Sequence, residues 1–206
     1  MDRNPLERED WLRAARLALL RGGVEAVRVE KLARHLAITK GSFYWHFKDR
    51  DELLELLLRE WENEVEEILS QVGPGSQRER VHRLVRVLER RVKLSEEGKV
   101  PSDAAIFAWA SVDPKVARRV NVAEQERIAL LKHFVGARNR IELFYLVWLG
   151  FVARGQRVPE SRKRFPQVAR LLLEWLSEPK AKLPMSQRSR EPRKHPAKRL
   201  QERLTE

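Results

Sequence analysis

Apolar residues recur every three to four positions through most of this chain, and each such stripe predicts a helix. Trp11, Ala14, Ala15, Ala18 and Leu19 make one face of a first helix. Asn4-Pro5 is placed to start it, with Asn as cap and Pro in the first position, and Gly22-Gly23 to end it. Leu32, Ala33 and Leu36 predict a second helix over about 29–36. Phe43 and Phe47, spaced i and i+4, turn one side of a third over about 40–46 inward. Asp49 with Glu52 is a capping-box pattern for a fourth, about 50–70, carrying Leu53, Leu54, Leu57, Leu58, Trp61, Val65, Ile68 and Leu69. That helix is long enough to leave a small domain and reach a second one.

The VGPGS stretch at 72–76 breaks the chain. Ser76 with Glu79 caps a helix over about 77–96, with Val81, Leu84, Val85, Leu88 and Val92 as its stripe. Gly98 and Pro101 break it again. Further helices follow at about 102–111, from Asp113-Pro114 to about 134, at 138–155 and from about 165 to 176. The pattern is all-α, about nine helices, with no internal repeat. It divides into 1–50, a larger helical unit at 51–178, and a Pro-, Lys-, Arg- and Ser-rich tail at 179–206 expected to be disordered. The helix at 138–155 is apolar nearly all round and must be covered on several sides, for which a partner subunit is a natural means.

Composition narrows the function classes. The chain has no Cys, which removes disulfides and thiolate metal sites and fits a reducing cytoplasm. Its opening, MDRNPLERED, is charged and unlike a secretory leader. The longest apolar run, 143–153, is too short to span a bilayer. No G-x-S-x-G, H-E-x-x-H or phosphate-binding Gly loop is present, and the His residues at 35, 46, 82, 133 and 195 are scattered. Neither an enzyme, a cofactor nor a metal is expected. The net charge is +12, but the tail alone carries nine Lys/Arg against three Asp/Glu, so the total says little about the N-terminal helices.

The local charge says more. Residues 31–48, KLARHLAITKGSFYWHFK, hold four Lys/Arg, two His and no acid. Two short helices joined by a tight turn, with polar side chains on the outside of the second, suit major-groove recognition of double-stranded DNA. Thr39 is placed to cap the second helix, and its hydroxyl or the helix N-terminus can meet a phosphate. Lys40 and Ser42 lie in the first turn, where base edges are reached, and Gly41 permits close backbone approach. Trp45 either presses on a sugar or thymine methyl or packs internally. Lys48 and Arg50 stand where a cation can pin the phosphate backbone; Lys31 and Arg34 are weaker candidates.

The segment LARHLAITKGSFYWHFKDRDELL resembles the DNA-binding domain of the Tet repressor family, above all in its Gly-Ser-Phe-Tyr-Trp-His-Phe run. The likeness is specific over the first 60 residues and architectural after that. Ala37 departs from it, standing where that family usually has Gly. The resemblance implies a homodimeric transcriptional regulator, most often a repressor, on a pseudo-palindromic operator in the cytoplasm. It implies phosphate contacts for Tyr44 and His46 and a basic contact at Arg50. It implies a dimer interface through 138–155 and 165–178, and a pocket for a small-molecule effector. Phe107, Trp109, His133, Phe134, Tyr145 and Trp148 are the candidate lining residues, although aromatics at helical spacing are ordinarily core. Two other readings stay open: a DNA-associated structural protein with no ligand, and a nonspecific binder driven by the basic tail.

Overall fold

The computed structural model describes residues 6–135, 138–165, 167–168 and 171–172. Among these, seven α-helices and three short 3-10 helices are found, and no strand. The protein is all-α. The helices are α1 (Arg8–Gly22), α2 (Val29–Leu36), α3 (Arg50–Val72), α4 (Gln77–Glu96), α5 (Asp103–Ala110), α6 (Pro114–Val135) and α7 (Arg138–Arg157). The tail at 179–206 and most of the helix expected at 165–178 lie outside the described residues, as do Asn4 and Pro5.

The start of α1 differs from expectation. The helix opens at Arg8, and the Glu7 N–H donates to Asp10 Oδ2 at 2.8 Å, so an acidic first turn does the capping expected of Asn4. The caps of α3 and α4 follow the sequence. Asp49 accepts from the Glu52 N–H at 2.8 Å, and Ser76 and Glu79 satisfy each other's backbone N–H groups. The second motif helix also differs: Lys40–Trp45 is a 3-10 helix rather than an α-helix. A Gly in its first turn and a run of aromatic residues give it little helical propensity of its own. What holds it is Phe43 and Phe47, both buried beneath α1, with the Trp11 and Phe43 rings edge to face at 5.2 Å.

Two apolar clusters form the interior. The first joins α1, α2, the Lys40–Trp45 segment and the first half of α3 to Ile106 and Trp109 of α5 and Val116 and Val120 of α6. The second joins the rest of α3 to α4, the end of α6, α7 and Phe165. Helix α3 therefore runs through both, over about 34 Å. Polar bridges reinforce the join. Arg119 of α6 reaches Glu55 at 2.5 Å and Glu62 at 2.6 Å on α3. Arg16 of α1 holds Glu60 of α3 at 2.9 Å and donates to the Gly98 carbonyl at 3.1 Å. Gly98 has φ 71°, and a Cβ there would stand 2.7 Å from Leu17 Cγ, so only glycine lets this loop lie against α1.

Candidate nucleic-acid interface

The turn between α2 and the Lys40–Trp45 helix is built on Ala37, which adopts φ 56°, ψ 43°. The Ala37 N–H donates to the Arg34 carbonyl at 3.2 Å and the Ile38 N–H to the Ala33 carbonyl at 3.0 Å. This is a Schellman ending formed with Ala in the left-handed position that glycine usually takes. Ile38 then packs onto the first cluster. The turn expected from the sequence is present, at the cost of a strained residue.

From that turn the chain presents its polar side chains. Thr39 occupies the cap position but its side chain makes no capping hydrogen bond, contrary to expectation; its carbonyl accepts from the Ser42 N–H at 3.2 Å. The exposed hydroxyl is left to an outside partner. Lys40 is exposed and pairs with Glu30 of α2 at 2.9 Å. The hydrogen bond to Glu30 raises the Lys40 pKa, and the same bond lowers that of Glu30. Both groups face water, so a phosphate or base edge can replace this partner at little cost. Gly41 is exposed, and a Cβ added to it would meet Thr39 Oγ1 at an ordinary 3.8 Å. Nothing inside the protein requires glycine there. Ser42 is half-buried.

Tyr44 is 54 % exposed and Trp45 87 % exposed. Tyr44 leans edge-on against Phe43 at 5.3 Å. The internal alternative for Trp45 is thus excluded: its indole stands in solvent, next to the exposed phenol of Tyr44. His46 is half-buried, 6.3 Å from the Phe47 ring. Lys48 is exposed and its backbone N–H donates to Glu52 Oε2 at 2.6 Å, fixing the approach to α3. Arg50 is also held from within. Its Nε donates to the Val27 carbonyl at 2.6 Å and an Nη to the Val24 carbonyl at 2.8 Å. It ties the start of α3 to the α1–α2 connection and so supports the outward face from behind.

The expected effector residues part company. Tyr145 and Trp148 are buried and line cavities between α3, α4, α6 and α7. Trp109 is buried in the first cluster, and Phe107 packs edge-on against Trp61 at 5.7 Å. Both are core residues facing the N-terminal helices. His133 is exposed. The Phe134 side chain lies outside the described part. The sequence reading missed a set of buried charges. Asp103 accepts from Trp61 Nε1 at 2.7 Å, Trp148 Nε1 at 3.1 Å and Arg127 at 3.3 Å. Burial alone would raise the Asp103 pKa; Arg127, Arg91 and the two indole donors outweigh it and leave it lowered. Arg91 pairs with Glu64 and donates to the Pro101 carbonyl at 3.2 Å, and burial lowers its pKa to about 10. Tyr145 donates to Glu124 at 3.1 Å, and burial raises both groups' pKa values. A signal for three of these was available: Glu64, Arg91 and Arg127 fall on the apolar stripes of their helices.

Among the described residues no three His, Asp or Glu side chains gather as a metal site, and none of the described helices is long and apolar enough to cross a membrane. No curated protein matches the chain. Residues 12–57 match the model for bacterial regulatory proteins of the tetR family, a span that takes in α1 after its first turn, α2, the outward Lys40–Trp45 helix and the start of α3. Over this N-terminal part the chain is similar to the tetR family of bacterial regulatory proteins.

Proposed function

We propose that the chain acts as a homodimeric repressor whose two Lys40–Trp45 helices enter successive major grooves of a pseudo-palindromic operator. The observation that carries this reading is the arrangement of the segment itself. Phe43 and Phe47 anchor it in the core, while Thr39, Lys40, Tyr44 and Trp45 are exposed around an uncrowded Gly41. Lys40 and Ser42 read base edges; Thr39, Tyr44, His46 and Lys48 hold phosphates. Trp45 lies against a sugar or a thymine methyl, and Arg50 keeps the frame in register.

The dimer would form through α7. Leu143 is 46 % and Leu146 59 % exposed, and a Cβ at Gly150 on the same side would meet nothing within 4 Å. An exposed apolar stripe on this helix supports a partner subunit there. Among the described residues of the second expected interface segment, 165–178, Leu171 is a further exposed apolar side chain.

A small molecule in the regulatory half releases the operator by favouring a dimer whose recognition helices no longer match half-sites about 34 Å apart. Two small clefts, one between α4 and α7 beside α1 and one between α3, α4, α6 and α7, mark where such a molecule would enter. The protein then works in the cytoplasm, on the nucleoid, as a regulator and not as a catalyst. Removal of residues 179–206 tests it against tail-driven binding. Sequence preference measured by fluorescence anisotropy should persist without the tail, with some loss of salt-sensitive nonspecific affinity. Preference that disappears with the tail would contradict the proposal.

A further inference from the structure

Glu30 is the only acid between Ala26 and Lys48. It lies in the first turn of α2, where a carboxylate suits the helix dipole. The dipole does not require what the fold adds. Lys40 Nζ donates to Glu30 Oε1 at 2.9 Å, so the first residue of the outward helix is joined to the start of α2. The two side chains are 52 % and 60 % exposed, and neither fills the core. The Tyr44 phenol lies near enough to add to the raised Lys40 pKa, which places the ion pair beside that exposed side chain. The neighbouring acid, Glu25, pairs with Arg28 instead, at 3.4 Å.

Such a pair is a donor and an acceptor held at a fixed spacing, each with capacity to spare: an ammonium has three N–H groups and a carboxylate two oxygens. The major-groove edge of a G·C pair offers the complement. Guanine O6 accepts and cytosine N4 donates, and these atoms stand about 2.9 Å apart because they are hydrogen-bonded to each other within the base pair. Laid edge to edge, Lys40 Nζ meets O6 with N7 beside it, and the Glu30 carboxylate meets N4. A phosphate offers acceptors alone and repels the carboxylate, so the pair favours a base edge over the DNA backbone.

We propose that Glu30 and Lys40 together read one G·C pair in each half-site, Lys40 donating to guanine and Glu30 accepting from the cytosine amino group. The ion pair need not open to make these contacts, and it gives them a direction. In a C·G pair the ammonium faces an amino group and the carboxylate a carbonyl. A T·A pair keeps the keto and amino groups in the favoured order but lacks the N7 acceptor beside the keto oxygen. Glu30 is in this way a specificity-determining residue, an assignment that rests on the reading of the Lys40–Trp45 helix proposed above.

The test is selection of bound sites from a random duplex pool by the full chain, by Glu30→Ala and, as a charge control, by Glu25→Ala. Fluorescence anisotropy on the selected duplex, with single base pairs replaced, then measures each preference. Both side chains are exposed, so each variant should fold as the parent does. The parent should show one position per half-site where G·C is bound about tenfold or more tighter than C·G, with T·A between them. Glu30→Ala should flatten that preference, leave the other positions unchanged and raise affinity for random DNA. Glu25→Ala should leave every preference as it was. A parent site whose preferences survive Glu30→Ala at every position overturns the role of Glu30 and leaves the helix reading standing. Equal flattening by Glu25→Ala also overturns it, since charge alone would then be the cause. A parent with no enriched site ends both.

Discussion

At the scale of single residues the interface turns on two small side chains in unusual places. Ala37 holds a left-handed conformation that costs an L-residue roughly 1–2 kcal/mol. Ala37→Gly relieves that strain and loosens the unfolded chain, for a net gain of about 0.5–1 kcal/mol in urea unfolding. Gly41 is the converse. A methyl group there fits the protein, so Gly41→Ala should leave stability unchanged or raise it by up to about 1 kcal/mol. On a cognate duplex the same methyl stands where the backbone meets DNA, and affinity should fall about tenfold or more. Stability lost with affinity retained would mean that the segment does not approach DNA at Gly41. The spacing of Phe43 and Phe47 made their burial legible in the sequence. The uncapped hydroxyl of Thr39 and the inward bonds of Arg50 to the Val24 and Val27 carbonyls were not, because the folded turn and loop alone bring those groups into place.

At the scale of elements, α3, α5, α6 and α7 are tied together at Asp103. Asp103→Asn leaves Arg127 without its buried counter-charge and should cost about 3–5 kcal/mol in urea unfolding at neutral pH. The folded pKa of this carboxyl lies below its ordinary value of 3.8. Its contribution is therefore complete above that value and lost as the pH falls through the lower folded one. The gap between parent and variant should close under strongly acid conditions, and a gap independent of pH would refute this role. Helix boundaries were largely readable from stripes and caps, as α4 and its Ser76–Glu79 box illustrate. The Asp103 cluster was not: a charge on a helix is ordinarily solvated, and its partners here come from three separate elements.

Helix α7 makes a prediction of the same kind. Leu146→Glu puts a charge on an exposed position, so it should leave the subunit's own stability within about 0.5 kcal/mol. Sedimentation should nonetheless shift from dimer to monomer, with operator affinity lost in parallel. A dimer unchanged by this substitution would move the interface elsewhere.

At the scale of the whole molecule, the first apolar cluster does not end with the N-terminal helices. It takes in α5 and the first half of α6, so the DNA-facing part is packed onto the same α5 whose first residue, Asp103, lines both cavities. Through α5, and through the Gly98 loop that braces α1, the C-terminal helices are packed against the N-terminal ones. The measurement that tests the central claim most directly is selection of bound sites from a random duplex pool at physiological salt. A two-fold symmetric site is expected, with enrichment abolished by Lys40→Ala or Tyr44→Ala. Binding with no enriched site, varying only with salt and with residues 179–206, would contradict it.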